Sequence, residues 1–134
     1  MTERVRYDGV DAMLADARSR LERIGPRQAH DELRSGAALL VDIRPAAQRA
    51  AEGEVAPDPA VLVIERNVLE WRFDPRHDAR LPVAGFEARV IVLCQEGFTS
   101  SLAADALLRL GVRRATDVVG GFRAWREAGL PTAA

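Results

Sequence analysis

Three short apolar runs set the strongest constraint on this chain: Leu39-Leu40-Val41, Val61-Leu62-Val63-Ile64 and Val90-Ile91-Val92-Leu93. Each is bounded by Gly, Pro or charged residues, and none alternates apolar with polar. Runs of this kind read as parallel strands buried on both faces. Between them lie stretches with helical periodicity. Asp8 to Ile24 has Val10, Met13, Leu14, Ala17, Leu21 and Ile24 on one face and is stopped by Gly25-Pro26. Pro26 opens a second helix to about Arg34, and Pro45 to Ala51 reads as a short third. Asn67 to Phe73 is a short helix carrying Trp71. Ser101 to Leu110 is a longer one, with Leu102, Ala106, Leu107 and Leu110 as its apolar face. Arg114 to Val119 is the last strand; Gly120-Gly121 follows, and then a helix to Ala128 closes the pattern. The alternation predicts an α/β domain with a mainly parallel central sheet and helices on both faces.

Composition narrows the chemistry. The length of 134 residues suits one core. All 19 basic residues are arginine, set against 20 acidic ones, for a net charge of -1. Without lysine there is no P-loop, no kinase-type ATP site and no Schiff-base enzyme. The charge balance argues against nucleic-acid binding, which needs clustered positive charge. No apolar run is long enough to span a bilayer, so no membrane partner is expected. The single cysteine, Cys94, excludes a disulfide framework and multi-cysteine zinc sites, so no metal is expected. A cytoplasmic protein with a reduced thiol is the expectation.

Open parallel sheets place ligands at the carboxyl ends of their strands. Cys94 stands at that end of the most apolar strand, followed by Gln95-Glu96-Gly97-Phe98-Thr99-Ser100-Ser101 and a helix. Such a loop turns backbone N–H groups inward, and the helix adds the partial positive charge of its first turn. Both favour an anion at the loop centre, and therefore the nucleophilic thiolate. Gly97 supplies the backbone freedom of a tight cradle. The Thr99, Ser100 and Ser101 hydroxyls either cap the helix or donate towards the sulfur. The bland alternative is a buried cysteine that merely closes the strand. His30 and His77 read as solvated surface residues, so a Cys/His protease is not indicated. A Cys-x5-Arg phosphatase needs arginine at position 100, which is Ser100. Arg66, Arg72, Arg76 and Arg80, with His77, read as a solvated loop paired with neighbouring acids.

Cys94-Gln95-Glu96-Gly97-Phe98-Thr99 resembles the Cys-x-x-Gly-x-Thr active-site loop of the rhodanese-like family. Asp42-Ile43-Arg44 is similar to its Asp-x-Arg motif. Gly120-Gly121-Phe122-Arg123-Ala124-Trp125 with Gly129-Leu130-Pro131 resembles its C-terminal signature. The three occur in the family's order. The resemblance implies a small rhodanese-like α/β domain over residues 24–134; the amphipathic helix read from periodicity precedes it as an N-terminal element over 1–23. It implies a sulfurtransferase: Cys94 takes a sulfur atom from a small-molecule or protein persulfide donor, becomes a persulfide, and passes the sulfur to an external thiol or cyanide. Gln95 to Ser100 would cradle that sulfur, with Asp42 and Arg44 in support. No cofactor is implied. The alternative within the fold is a non-catalytic partner-binding or persulfide-sensing module.

The chain departs from the family pattern in three places. Gly53 to Ala60 lacks the histidine the family often has before its third strand. Glu96 puts a carboxylate where family members that favour thiosulfate tend to carry basic side chains, a repulsion of about 1 kcal/mol or more for a dianion. No second cysteine exists to resolve a persulfide internally, so the acceptor must come from outside.

Overall fold

The computed structural model describes residues 6–133. Among them the order is α1 (Val10–Ser19), α2 (Pro26–Arg34), β1 (Leu39–Asp42), α3 (Ala46–Glu52), β2 (Val61–Val63), a 3-10 turn (Arg66–Val68), α4 (Leu69–Phe73), β3 (Val90–Leu93), α5 (Thr99–Arg109), β4 (Thr116–Asp117) and α6 (Gly121–Glu127). The strands form one sheet in the order β2-β1-β3-β4, with every pairing parallel. The expected α/β class with a parallel sheet is what the chain adopts.

The register explains why the apolar runs do not alternate. Val41 lies beside Val92, and Leu40 beside Ile91. Val90 and Val92 face one side, into a core with Leu69, Phe73, Ala103, Ala104 and Leu107 from α4 and α5. Ile91 and Leu93 face the other, into a core with Ala29, Leu33, Phe122 and Trp125 from α2 and α6. Helices cover both faces, so successive side chains on β3 are all buried.

Four expectations are corrected. The first helix ends at Ser19, not Ile24. Pro26 disfavours helix at the residue before it, and Ile24 instead extends the sheet edge: it pairs with Val118, and its carbonyl accepts the Val119 N–H at 2.8 Å. The Val61 run is only half buried, with Val63 44% exposed, because β2 is the sheet edge. The last strand is regular over two residues only: the Val118 N–H still donates to the Val92 carbonyl at 3.1 Å while Ile24 bridges it from the other side, and Gly120 then turns the chain. The α5 helix begins two residues early and buries Ser100, Ser101, Ala103, Ala104 and Leu107. Small residues let it sit close to both β3 and α1, so its apolar face is not the leucine stripe.

Candidate active site

The site grows out of β3. Cys94 follows its last residue and is buried, at the base of a cleft of about 530 Å³ beyond the carboxyl ends of the strands. The loop then curls back on the sulfur. The Gly97 N–H donates to Cys94 Sγ at 3.3 Å and the Ser100 N–H at 3.4 Å. Gly97 takes φ +85°, a conformation L side chains rarely adopt, and a Cβ there would stand 2.8 Å from the Gly120 nitrogen. The first turn of α5 opens directly behind the loop, so its dipole points at the sulfur.

Gln95, Glu96, Phe98 and Thr99 line the cleft with Cys94 and Arg44. Ser100 does not act as its hydroxyl suggests. Its Oγ donates away from the sulfur to Asp117 Oδ2 at 2.7 Å, and Ser101 Oγ donates to the same oxygen at 2.8 Å. Only the Ser100 backbone faces Cys94. Neither hydroxyl caps α5, whose N-terminus has no side-chain cap.

Asp42 and Arg44 form a buried fork: Nη2 meets Oδ2 at 2.7 Å and Nε meets Oδ1 at 3.0 Å. Arg44 Nη1 also donates to Gln95 Oε1 at 3.1 Å and Glu52 Oε1 at 3.3 Å, and Nη2 donates to the Gly53 carbonyl at 2.9 Å. Its guanidinium stacks over Phe122, 4.4 Å from the ring centroid. Burial works against this charge, but the Asp42 carboxylate, then Glu52, outweigh it and hold Arg44 above its ordinary pKa. The fork ties β1, α3 and the Gly53 loop to Gln95, so a structural ion pair also reaches the cleft wall.

Three contacts were not legible as motif chemistry. The α6 N-terminus grips the loop carbonyls: the Phe122 N–H donates to Cys94 O at 2.8 Å and the Arg123 N–H to Gln95 O at 3.0 Å. Gly121 makes the approach possible, since a Cβ there would lie 2.4 Å from Cys94 O. The glycine pair was the available signal, but it reads equally as a plain turn. Second, Arg18 and Arg23 both donate to the Gly97 carbonyl, at 2.7 and 2.9 Å. Third, Glu96 meets Arg123 at 3.1 Å, so its charge is partly offset.

The remaining candidates separate. Arg66 lines the cleft and pairs with Glu70 at 2.7 Å, so this one arginine belongs to the mouth. Arg76 pairs with Asp74 at 3.5 Å, Arg72 donates to the Ala79 carbonyl, and Arg80 to the His77 carbonyl. His77 is exposed. His30 is not simply solvated: its ring packs edge-on against Trp125 with centroids 5.5 Å apart. Among the described residues no group of three or more His, Cys, Asp or Glu side chains is arranged to hold a metal ion.

Comparison with solved structures agrees with this architecture. A protein of unknown function from Rhodopseudomonas palustris, described as a possible tyrosine phosphatase, superposes with a TM-score of 0.83 at 29% identity, covering 99% of this chain and 100% of that one. The polysulfide-sulfur transferase homodimer of Wolinella succinogenes gives 0.74 at 25% identity, over 92% and 85%. A human single-domain sulfurtransferase gives 0.61 at 25% identity, over 78% and 95%. In sequence, the rhodanese-like domain matches residues 25–128. Because that match runs from the start of α2 to the end of α6, the sheet and the Cys94 loop included, the chain belongs to the rhodanese-like domain family.

Proposed function

We propose that this protein is a sulfurtransferase that carries sulfane sulfur on Cys94. The observation that carries the reading is the pair of backbone N–H groups aimed at Sγ within one loop, at 3.3 and 3.4 Å. Such donors stabilise a sulfur anion before and after transfer without any reorganisation at the moment of reaction. The two sulfurtransferases of known structure described above share the fold.

The steps balance without a cofactor. The Cys94 thiolate attacks the outer sulfur of a donor R–S–SH. An Sγ–S bond forms, the donor S–S bond breaks, and its electron pair leaves on R–S⁻. With thiosulfate the leaving group is sulfite. An external thiolate or cyanide then attacks the outer sulfur, the Sγ–S bond breaks, and Cys94 leaves as thiolate. No second cysteine is present, so the persulfide waits for that acceptor. The loop carbonyls of Cys94 and Gln95, held by α6, keep the N–H groups of the loop in place during both steps.

Donor choice follows from the cleft wall. Ile43, Pro45 and Phe98 line it alongside Glu96, a surface that suits an organic or protein-bound persulfide better than a small dianion. Phosphate-ester chemistry is the weaker reading. Position 100 holds serine, and its hydroxyl is engaged by Asp117, so the guanidinium that clamps a phosphate in Cys-x5-Arg enzymes is missing from this loop. A free Cys94 thiol suits a reducing compartment, and we place the protein in the cytoplasm on that ground. No helix among the described residues is long and apolar enough to cross a membrane.

Intact-mass measurement after incubation with an organic persulfide tests the reading. Wild type is expected to gain one sulfur atom per chain, lost on cyanide addition and absent in Cys94→Ser. No gain with any donor would instead support a binding or sensing module.

A further inference from the structure

The segment before residue 25 lies outside the family match, yet two of its side chains bond to the Cys94 loop. Arg18, near the end of α1, sends Nη2 to the Gly97 carbonyl at 2.7 Å and Nε to Ser101 Oγ at 3.0 Å. Its guanidinium also lies 5.6 Å from the Phe98 ring centroid. Arg23, in the turn that follows, sends Nη2 to the same carbonyl at 2.9 Å and Nε to Asp117 Oδ1 at 2.8 Å. Asp117 is fully buried and also accepts from Ser100 and Ser101.

We infer that Arg18 and Arg23 are positioning residues for the loop, and that α1 is therefore a working part of the site. A carbonyl oxygen has two lone pairs, and here two guanidinium donors occupy them. These are charge-assisted bonds, stronger than neutral ones. Fixing the Gly97 carbonyl fixes the planar trans peptide to Phe98, which turns the Phe98 N–H away from the arginines. The adjoining Gly97 N–H already faces Sγ. The same contacts supply charge. Two guanidinium groups against the one Asp117 carboxylate leave a single positive charge beside the loop. In a chain without lysine, this pair attracts an anionic sulfur from behind while Glu96 opposes one in front.

The part concerning sulfur uptake rests on the transferase reading, and the experiment separates the two. The full chain is compared with Arg18→Gln and Arg18→Lys. One readout is the ratio of Cys94 alkylation rates with iodoacetate and iodoacetamide, an anionic and a neutral reagent. The other is the rate of sulfur uptake from an organic persulfide. Arg18→Gln is expected to lower the ratio about fivefold and uptake about tenfold, the scale of a lost charge-assisted hydrogen bond. Arg18→Lys keeps the charge but not the fork, and is expected to restore the ratio while uptake stays slow. An Arg18→Gln protein matching wild type in both readouts overturns the inference, as does an Arg18→Lys ratio as low as that of Arg18→Gln. Should Arg18→Gln not fold, Arg18→Lys decides alone: slow uptake at a wild-type ratio supports the clamp, and wild-type uptake overturns it. Should wild type take up no sulfur from any donor, the transferase reading falls, and an unchanged alkylation ratio in Arg18→Gln still overturns the charge that the inference places beside the loop.

Discussion

Glu96 stands at the cleft mouth beside Arg123, and both side chains are more than half exposed. Glu96 is the largest contributor to holding Arg123 above its ordinary pKa, with Glu127 adding to it. Its repulsion of a dianionic donor is thus softened by the arginine and by solvent. Glu96→Gln is expected to raise the thiosulfate:cyanide rate about threefold at low salt, and the gain should shrink at high ionic strength. Steady-state rates at two salt concentrations check this; no gain at low salt would remove Glu96 from donor selection. Ser100 makes a separate case. Its hydroxyl serves a fully buried carboxylate, so Ser100→Ala is expected to cost about 1–2 kcal/mol in urea denaturation. The loop's order Cys-x-x-Gly-x-Thr was legible in the sequence because it is local. The direction of the Ser100 hydroxyl was not, because Asp117 lies 17 residues away in the chain.

At the scale of elements, the α6 N-terminus and the Cys94 loop form one unit. Gly120 and Gly121 both take positive φ, and Gly121 faces the Cys94 carbonyl without room for a side chain. Gly121→Ala therefore combines a left-handed backbone with a clash against backbone that cannot swing aside. It is expected to cost about 3 kcal/mol, read as a lowered Tm. It should also slow Cys94 alkylation, because the loop must move; a Tm loss with unchanged alkylation would leave Gly121 a purely structural glycine. Helix and strand positions were legible from periodicity for α2, β1, β3 and α6, whose neighbours agree with their local pattern. Periodicity misplaced the end of α1 and the buried face of α5. In both cases contacts between α1, α5 and the β4 edge outweighed the local apolar spacing.

Across the whole molecule, arginine forks join elements distant in sequence. Arg20, just after α1, meets both Asp105 oxygens on α5, and Arg89, just before β3, meets both Glu32 oxygens on α2. A planar fork holds two bonds at once, which a lysine ammonium does not do in the same geometry. The Arg89 fork, above all, depresses the Glu32 pKa in the folded state. A depressed carboxylate contributes stability above its unfolded pKa and loses it as pH falls towards the folded value. The stability difference between wild type and Arg89→Gln is thus expected to be full at neutral pH, about 0.5 kcal/mol after solvent screening, and to shrink as pH falls below the ordinary glutamate range. Urea titrations at several pH values check it; a difference that grows on acidification would reverse the sign.

The sequence by itself determined the parallel α/β class, the place of Cys94 at a strand end and the family, because apolar runs, a cysteine after the last of them and three ordered motifs are all local patterns. Only the tertiary structure decided what holds the sulfur loop in shape. Arg18 and Arg23 reach Gly97 across 79 and 74 residues, and Arg23 reaches Asp117 across 94. In the sequence these are three of many scattered charges. They become a clamp because folding brings the α1 segment and the β4 edge to the same side of one glycine carbonyl, where burial makes an unpartnered charge or carbonyl costly and so selects this arrangement.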